Sequence, residues 1–464
     1  MSNERVNQKK RAPSPRGHFL LGEMEAFRTD ALALTRSLQK EFGDVARFRL
    51  GPFSVFQLSH PDGIKRVLQD NNKNYDKNTP NYKTLRPNLG NGLLTAEGES
   101  WASQRRIAQP AFHRERVASF ATPMTGAAQA AVERWNGLTA DVPIDMAREM
   151  QRITMRIASD TLFSLDIGDD AQAFAEAVDE TLKWAIVQLT SLLPLPPFVP
   201  TSMNRRFNRA SKIISGIVSK IVAQRRKDPT DRGDLLSMLM LTRDAETGAT
   251  MNDALLHDEV VTLLGAGYET SANALTWAYF LLAQHPDVWE MLQDELRTVL
   301  GGRLPTFADL PKLTFTKMVI DETMRLYPPV WLITRGAVAE DEIGGYTIPK
   351  RSILFANAYL AHRHPEFWNN PDAFDPTRFE PSRAAAIAKY AYFPFGGGPR
   401  MCIGNQFAIM ETQLVLATLA QAYRAEIAPG FVTTPEAIIT LRPKHGIQMI
   451  LKPVKRNARL AASA

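Results

Sequence analysis

The chain has 464 residues, of which 44% are hydrophobic and 22% charged, as in an ordinary globular protein large enough to enclose a ligand cavity. Its net charge is +6, but no dense run of Lys and Arg interleaved with aromatic residues appears, so nucleic-acid binding is not expected. The single cysteine excludes an internal disulfide and a zinc site of paired cysteines, and no apolar stretch would span a membrane, so we expect a cytoplasmic protein without a membrane anchor.

The N-terminal part of the chain contains one predicted helix and one predicted hairpin. Residues 1–14 are polar and basic, which indicates a disordered tail. Apolar residues recur at helical spacing over 30–42, and over 45–58 they alternate with polar residues around a Gly-Pro turn, which predicts two antiparallel strands. Because a two-stranded hairpin is marginally stable alone, a later segment must complete the sheet.

The middle of the chain, from about residue 100 to about residue 300, has the apolar spacing of amphipathic helices. The helices that this spacing predicts cover 146–163, 174–189, 207–222 and 255–282. A stretch with four prolines, 193–200, follows the second of them and cannot be helical. This stretch is either a lid over a buried site or a stiff linker.

The last third of the chain mixes short strands with one long helix. The elements predicted there are strands over 331–338, 346–348 and 352–356, a helix over 405–422 and a hairpin over 438–451. Strands from both ends of the chain must pair to complete the sheets. The predicted fold class is therefore mainly α with small β-sheets (α+β), with one cooperative unit over 15–453 and a short tail over 454–464.

The most informative segment is 393–404, which contains the only cysteine of the sequence, Cys402. A lone cysteine is usually a small buried hydrophobe. Here three consecutive glycines precede it, Arg400 brings a positive charge, and a predicted helix begins just after it. The charge and the helix end both favour a thiolate, which suits a metal ligand. Since only one protein ligand is on offer, the others have to come from a cofactor such as a porphyrin, whose carboxylates Arg400 could bind.

The pattern F-x-x-G-x-R-x-C-x-G over 395–404 resembles the haem-binding signature of the cytochrome P450 family. The resemblance implies haem b (iron protoporphyrin IX) as the cofactor. It also implies Cys402 as the iron ligand and places Phe395, Arg400 and Gly404 in the cofactor-binding loop. The implied fold has a long central helix over a buried haem.

A second motif, 266–271, lies within the longest predicted helix. It could belong to a core helix that tolerates a glycine, but it resembles the A-G-x-[D/E]-T-[T/S] segment of the family's central helix. The resemblance implies that Thr270 and Glu269 deliver protons, since splitting dioxygen productively requires two of them.

Two more motifs concern positively charged residues. Trp101 and Arg105 resemble the family's W-x-x-x-R and, together with Arg335, are expected to bind the haem propionates.

Glu322 and Arg325 share a helix face and could form an ordinary surface ion pair. They resemble the family's E-x-x-R, to which Arg378 would add a third member. The resemblance implies a buried charge network behind the cysteine loop, with a structural role.

The four motifs occur in family order, and similarity extends from about residue 15 to about residue 453. They imply a mono-oxygenase that hydroxylates or epoxidises a hydrophobic molecule such as a fatty acid, terpenoid, steroid or polyketide. The reaction would use O2 and two electrons from a separate ferredoxin or flavodoxin with its reductase, and we expect a monomer. The residues expected to face the substrate are apolar: Leu94, Ala266, Val330, Leu332 and Ile439.

Three alternatives differ in chemistry. A peroxide-using or rearranging haem-thiolate enzyme would not need the proton-delivering pair Glu269 and Thr270. A haem-based sensor would need an output module, and none is visible. A basic scaffold or nucleic-acid-binding protein would carry no haem.

Overall fold

Helices dominate the structure, a computed structural model that describes residues 10–164, 170–191, 193–228 and 230–454. In chain order the helices are α1 Met24–Phe42, α2 Pro61–Lys65, α3 Pro80–Leu89, α4 Gly98–Ala108, α5 Arg114–Ser119, α6 Ala121–Asn136, α7 Met146–Phe163, α8 Asp170–Thr190, α9 Ser202–Lys227, α10 Leu235–Leu241, α11 Asp253–Gln284, α12 Pro286–Leu300, α13 Thr314–Leu326, α14 Ala358–Ala361, α15 Pro381–Ala384 and α16 Asn405–Ala422.

The strands are short and contribute to small sheets. They are β1 Val45–Leu50, β2 Phe53–Leu58, β3 Tyr75–Asp76, β4 Ile144–Asp145, β5 Leu332–Ala337, β6 Asp341–Ile343, β7 Tyr346–Ile348, β8 Ile353–Asn357, β9 Tyr423–Ile427, β10 Pro435–Ala437, β11 Leu441–Pro443 and β12 Gln448–Pro453. The predicted class, mainly helical with small sheets, is confirmed.

The predicted helices are present, with bounds that shift by a few residues. Helices α7 and α16 coincide with their predicted ranges, and α8, α9 and α11 extend a few residues beyond theirs. The extra residues begin at polar caps: Asn252 accepts a hydrogen bond from the backbone N–H of Leu255 at the start of α11. Helix α1 begins at Met24, but Asp30 interrupts it with non-helical torsion angles (φ −154°, ψ 91°) and then caps Ala33, so a second helical segment starts where the sequence predicted one.

The first hairpin is completed by later strands, as predicted. The main sheet has the order β1-β2-β8-β5-β3. Strands β1 and β2 pair antiparallel, β8 runs parallel to β2, and β5 pairs antiparallel with β8. The sheet therefore joins residues about 300 positions apart in the sequence and places β5 beside the interior of the molecule.

The predicted hairpin over 438–451 is wrong. Strand β11 pairs with β10, whereas β12 pairs with β9 and β4. Between them Gly446 takes a left-handed conformation (φ +68°) and an added Cβ there would collide with the carboxylate of Asp145, so the chain is redirected at this point. Alternation identified the strands, but partners from distant segments decided the pairing.

Part of the predicted N-terminal tail is packed on the sheet. The carbonyls of Lys10 and Pro13 accept hydrogen bonds from the backbone N–H groups of Thr347 and Arg47, and Ala12 is buried. Residues 10–14 therefore differ from the predicted disorder, while 1–9 lie outside the described residues. At the other end, Val454 donates to the carbonyl of Ala422, and 455–464 lie outside the described residues.

Helix α11 is the longest helix of the described part of the chain and runs through the main hydrophobic cluster. It is apolar almost all round, as expected of a helix buried between others. Thr154 on α7 donates a hydrogen bond of 2.9 Å to the carbonyl of Tyr268, which fixes the two helices against each other. Within the described ranges, no helix combines the length and the apolar character needed to cross a membrane.

Candidate active site

A large cavity lies between α11, the main sheet and the loop that ends at Cys402. Its volume is about 490 Å³ and most of its lining is apolar. Helices α3, α8 and α9 contribute a group of lining residues, which we call the roof: Leu85, Asn88, Leu89, Val178, Thr181, Leu182, Ala185 and Phe207. The five substrate-facing residues predicted from the sequence all border this cavity: Leu94, Ala266, Val330, Leu332 and Ile439.

The cysteine loop folds back on itself below the cavity. The backbone N–H of Cys402 donates to the carbonyl of Phe395 at 2.9 Å, and both residues line the cavity. Gly396 and Gly398 take left-handed conformations (φ +72° and +65°), and an added Cβ at Gly398 would collide with the carbonyl oxygen of Leu68. The glycines are therefore required by the turn and by the neighbouring chain segment.

The Cys402 side chain is exposed at the cavity. Desolvation by the surrounding protein raises the pKa of its thiol, and the backbone N–H of Gly404 and the guanidinium of Arg105 oppose this shift. The expected effect of the helix end is thus present, but the acting cation is Arg105, not Arg400. Gly404 does not line the cavity; its place is the N-terminal cap of α16, beneath the sulfur.

Four cations crowd one end of the cavity: Lys77, Arg105, Arg335 and Arg400. The guanidinium of Arg400 lies 3.8 Å from the ring centroid of Trp101 and pairs with Glu97 at 3.1 Å. Burial, opposed by Glu97 and assisted by Arg335, lowers the pKa of Arg400 to about 10.

Lys77 was not predicted from the sequence. Burial and the neighbouring Arg335 and Arg400 hold its pKa well below the ordinary value, and its Nζ donates to the carbonyl of Leu94 at 2.7 Å. No local pattern marks this lysine, because its charged neighbours come from distant segments.

The residues present fit a haem. Arg400 pairs with Glu97, whereas Lys77, Arg105 and Arg335 form no ion pair with the described residues. Two propionates would supply anionic partners for these three side chains. Among the described residues, no cluster of His, Cys, Asp and Glu could hold a metal ion, so Cys402 lacks protein co-ligands. A macrocycle that brings four of its own ligands matches this donor set.

Several residues in the middle of α11 border the cavity. Gly265, Ala266 and Thr270 border the space although the helix around them is buried. The Thr270 hydroxyl donates to the carbonyl of Ala266 at 2.8 Å. Its neighbour Glu269 also lines the cavity and accepts a hydrogen bond of 2.7 Å from Thr440. Burial raises the pKa of Glu269, although Thr440 and Arg442 oppose the shift.

A second buried carboxyl adjoins the same stretch of α11. The hydroxyl of Ser271, which lines the cavity, lies 2.5 Å from Oε2 of Glu411 on α16. Glu411 is fully buried, and burial raises its pKa to about 8. This contact could not be predicted from the sequence, because the two residues are 140 positions apart.

The predicted charge network lies behind the cysteine loop in a fully buried form. The Glu322 carboxylate forms ion pairs with Arg325 at 2.6 Å and with Arg378 at 3.3 Å. Neither Glu322 nor Arg325 is exposed. Arg325 also donates to the backbone carbonyls of Pro371 and Ala373. The interpretation as an ordinary surface ion pair is therefore wrong.

His362 connects this network with the cysteine loop and was missed by the sequence analysis. Its carbonyl accepts a hydrogen bond from Arg325, and its Nε2 accepts one of 2.9 Å from the backbone N–H of Phe393. Burial lowers the pKa of His362 to about 3, which keeps the ring neutral and able to accept. The backbone carbonyl of Phe393 in turn accepts a hydrogen bond from the backbone N–H of Gly396, where the glycine turn starts.

The chain belongs to the cytochrome P450 family, whose model matches residues 12–450. It is a mono-oxygenase of this family, with a haem cofactor and the family's requirement for O2, an organic substrate and a redox partner.

Relatives and a solved structure agree with this assignment. Cyclooctatin synthase of Streptomyces melanosporofaciens is 39% identical, with 86% of each chain covered. Cyclooctat-9-en-7-ol 5-monooxygenase of the same organism is 37% identical over 89% of this chain and 88% of the relative. Pentalenene oxygenase of Streptomyces avermitilis is 34% identical over 86% and 88%. The crystal structure of the cytochrome P450DA heme domain superposes with a TM-score of 0.88 at 25% identity, covering 97% of this chain and 99% of the other.

Proposed function

We propose that this protein binds haem b through Cys402 and hydroxylates or epoxidises a hydrophobic, terpenoid-like molecule. The observation that carries the proposal is that the Cys402 thiol and the Thr270 hydroxyl border one largely apolar cavity. The cavity thus combines a soft metal ligand, a proton-donating alcohol and walls that favour hydrocarbon.

The chain's own residues would hold the cofactor at two places. Cys402 would bind the iron, and coordination would deprotonate its thiol. The propionates would be bound by Arg105, Arg335 and Arg400, with Trp101 stacked against Arg400, and Lys77 lies close to these arginines. When bound, the haem supplies the activation of dioxygen, which a thiolate ligand favours.

Thr270 and Glu269 would move protons toward the cavity. The raised pKa of Glu269 means that its carboxyl can hold a proton closer to neutral pH than an exposed one. The hydrogen bond from Thr440 holds the Glu269 carboxyl in place. Thr270, the next residue in the sequence, borders the cavity with its hydroxyl. A carboxyl beside an alcohol is a suitable proton relay.

Two observations support a terpenoid-like substrate. The roof is apolar apart from Asn88 and Thr181, which favours a hydrocarbon skeleton. Two relatives are named for pentalenene and cyclooctat-9-en-7-ol, which by their names are an alkene and an unsaturated alcohol. Among fatty acids, terpenoids, steroids and polyketides, these names favour a terpenoid as the substrate.

Electrons would come from a separate ferredoxin or flavodoxin with its reductase, and the enzyme would act as a monomer. The net charge of +6 favours an acidic electron donor.

The role of Cys402 is tested with Cys402→Ala in haem-loaded protein. Without the sulfur we expect complete loss of the red-shifted band of the reduced carbon monoxide complex, read in an absorption spectrum. Met401→Ala, a change at the exposed neighbouring residue, should keep the band. Retention of the band in Cys402→Ala would exclude this sulfur as the ligand. Product formed with peroxide alone, and none with electron donors and O2, would favour the alternative peroxide-using or rearranging reaction.

A further inference from the structure

Most polar side chains that line the cavity already have assigned partners. The cations and Trp101 form the charged end, and Glu269 is bonded by Thr440. Most lining hydroxyls are likewise hydrogen-bonded within the protein: Thr84 with Pro80, Thr181 with Val178, Thr270 with Ala266, Thr412 with Ala408, Ser271 with Glu411 and Thr334 with Asn81. The hydroxyl of Thr262 has no partner among the described residues, but it lies on α11 close to Gly92 and not in the roof.

The side-chain amide of Asn88, in the roof, makes only weak hydrogen bonds within the protein. Its Nδ2 donates to the Thr181 hydroxyl at 3.4 Å, and its Oδ1 accepts from the Ser211 hydroxyl at 3.4 Å. Both distances exceed the normal range of about 2.7–3.2 Å, so both bonds are weak. A side-chain amide offers two N–H donors and two acceptor lone pairs. Asn88 therefore presents one free donor and one free acceptor position at the cavity wall.

The surroundings of Asn88 select a neutral polar group. The charged residues among the described lining are the four cations and Glu269, and none belongs to the roof. Leu85, Leu89 and Phe207 make the rest of this wall apolar. A carboxylate or an amine would be desolvated there without a counter-charge. A hydroxyl can donate to the free acceptor of Asn88 and accept from its free N–H, whereas a carbonyl could use only the N–H.

We infer that the substrate is a hydrocarbon skeleton that already carries a hydroxyl group, and that Asn88 binds this hydroxyl in the roof. Asn88 is then a specificity-determining residue that directs the unsubstituted part of the skeleton toward Thr270 and Cys402. This inference rests on the proposed function and narrows it from terpenoids to terpenoid alcohols. The hydroxyl must be installed by an earlier reaction, either a cyclisation that ends with capture of water or a previous oxygenation.

The experiment is an optical titration of haem-loaded protein with matched pairs of probes, followed by the shift of the Soret band. The pairs are cedrene with cedrol, and dodecane with 1-dodecanol. We expect each alcohol that binds to do so about fivefold more tightly than its hydrocarbon, the worth of one hydrogen bond. In Asn88→Leu, which keeps the volume and removes the amide, this preference should disappear while hydrocarbon affinity is retained.

A control variant and three possible outcomes test the role of Asn88 in binding a substrate hydroxyl. Asn208→Leu removes an exposed amide of α9 that bonds the carbonyl of Pro197, outside the cavity, and should keep the preference. Equal affinities of alcohol and hydrocarbon in the unmodified protein would overturn the inference and leave the proposed function standing. Equal weakening of both members in Asn88→Leu would show a merely structural role and would also overturn it. Absence of any shift with all four probes would contradict the proposed substrate class together with this inference.

Discussion

Glu269 and Thr270 are neighbours in the sequence, but their side chains differ in how tightly the surrounding protein holds them. Glu269 is buried and bonded by Thr440, so its carboxyl has one fixed orientation. Thr270 borders the cavity, and its bond to the Ala266 carbonyl uses only the hydroxyl proton, which leaves the lone pairs toward the open space. The two side chains therefore suit complementary roles, a proton store and a proton donor at the cavity.

Thr270→Ala should separate electron consumption from product formation. The variant lacks both the hydroxyl and the γ-methyl group at the cavity. Because the hydroxyl is lost, we expect product per electron pair to fall at least about tenfold, with hydrogen peroxide released instead. Thr270→Ser retains the hydroxyl and should remain coupled. The measurement is product and peroxide per electron donor consumed. Unchanged coupling in the alanine variant would contradict the role given to this residue.

Single residues could be predicted where their neighbours in the sequence identify them. Cys402 and Thr270 lie in short, specific motifs, and both border the cavity. Lys77, His362 and Glu411 could not be found in this way, because each acquires its environment from segments far away in the chain. That the surroundings of Cys402 favour a thiolate stays a prediction: the sequence shows the nearby charges, whereas the desolvation that raises the pKa of the thiol depends on the complete fold.

At the level of elements, the bounds of the helices could be predicted from local sequence patterns, whereas the pairing of the strands could not. The spacing of apolar residues located α7, α11 and α16 within a few residues. The hairpin predicted over 438–451 failed because β11 and β12 each take partners outside that range. The predicted absence of a helix over 193–200 is confirmed, and its role as a lid or a linker stays a prediction.

Helix α13 positions the cysteine loop through buried charges. Glu322 balances Arg325 and Arg378, and Arg325 reaches the loop through His362. Burial raises the pKa of Glu322, but the two guanidinium groups oppose this and favour its charged form. The arrangement therefore depends on every member being present.

Glu322→Gln should destabilise the protein strongly. The variant leaves two buried guanidinium groups without a counter-charge, so the free energy of unfolding should fall by about 3 kcal/mol or more. Urea unfolding followed by circular dichroism measures this, and haem retention should fall in parallel because the loop loses its support. Glu290→Gln, a matched change at an exposed position of α12, should alter neither quantity. A loss below about 1 kcal/mol would contradict the structural role of the network.

Across the whole molecule, the two ends of the chain build shared structures. Strand β2 pairs with β8, and β4 pairs with β12. The carbonyl of Pro13 is bonded by Arg47 on the first strand. Such pairing accords with one cooperative unit over 15–453, which stays a prediction.

Buried carboxyls also give the whole molecule a pH-dependent stability. Burial raises the pKa of Glu259 to about 7 and that of Glu411 to about 8. The folded protein therefore binds protons that the unfolded chain, with ordinary carboxyl values near 4.5, has already released. Their contribution to stability is fully present below the unfolded value and is lost as the pH rises through the folded values.

Glu411→Gln should flatten this dependence, because the amide is neutral at every pH and can still accept the hydrogen bond of Ser271. Between about pH 5 and about pH 8, the free energy of unfolding of the unmodified protein should fall more steeply than that of the variant, by up to about 1.4 kcal/mol per pH unit. Urea titrations of both haem-loaded proteins at several pH values measure the two slopes, and Glu290→Gln serves as the exposed control. Equal slopes would mean that Glu411 is already ionised in the folded protein and would contradict this source of pH-dependent stability.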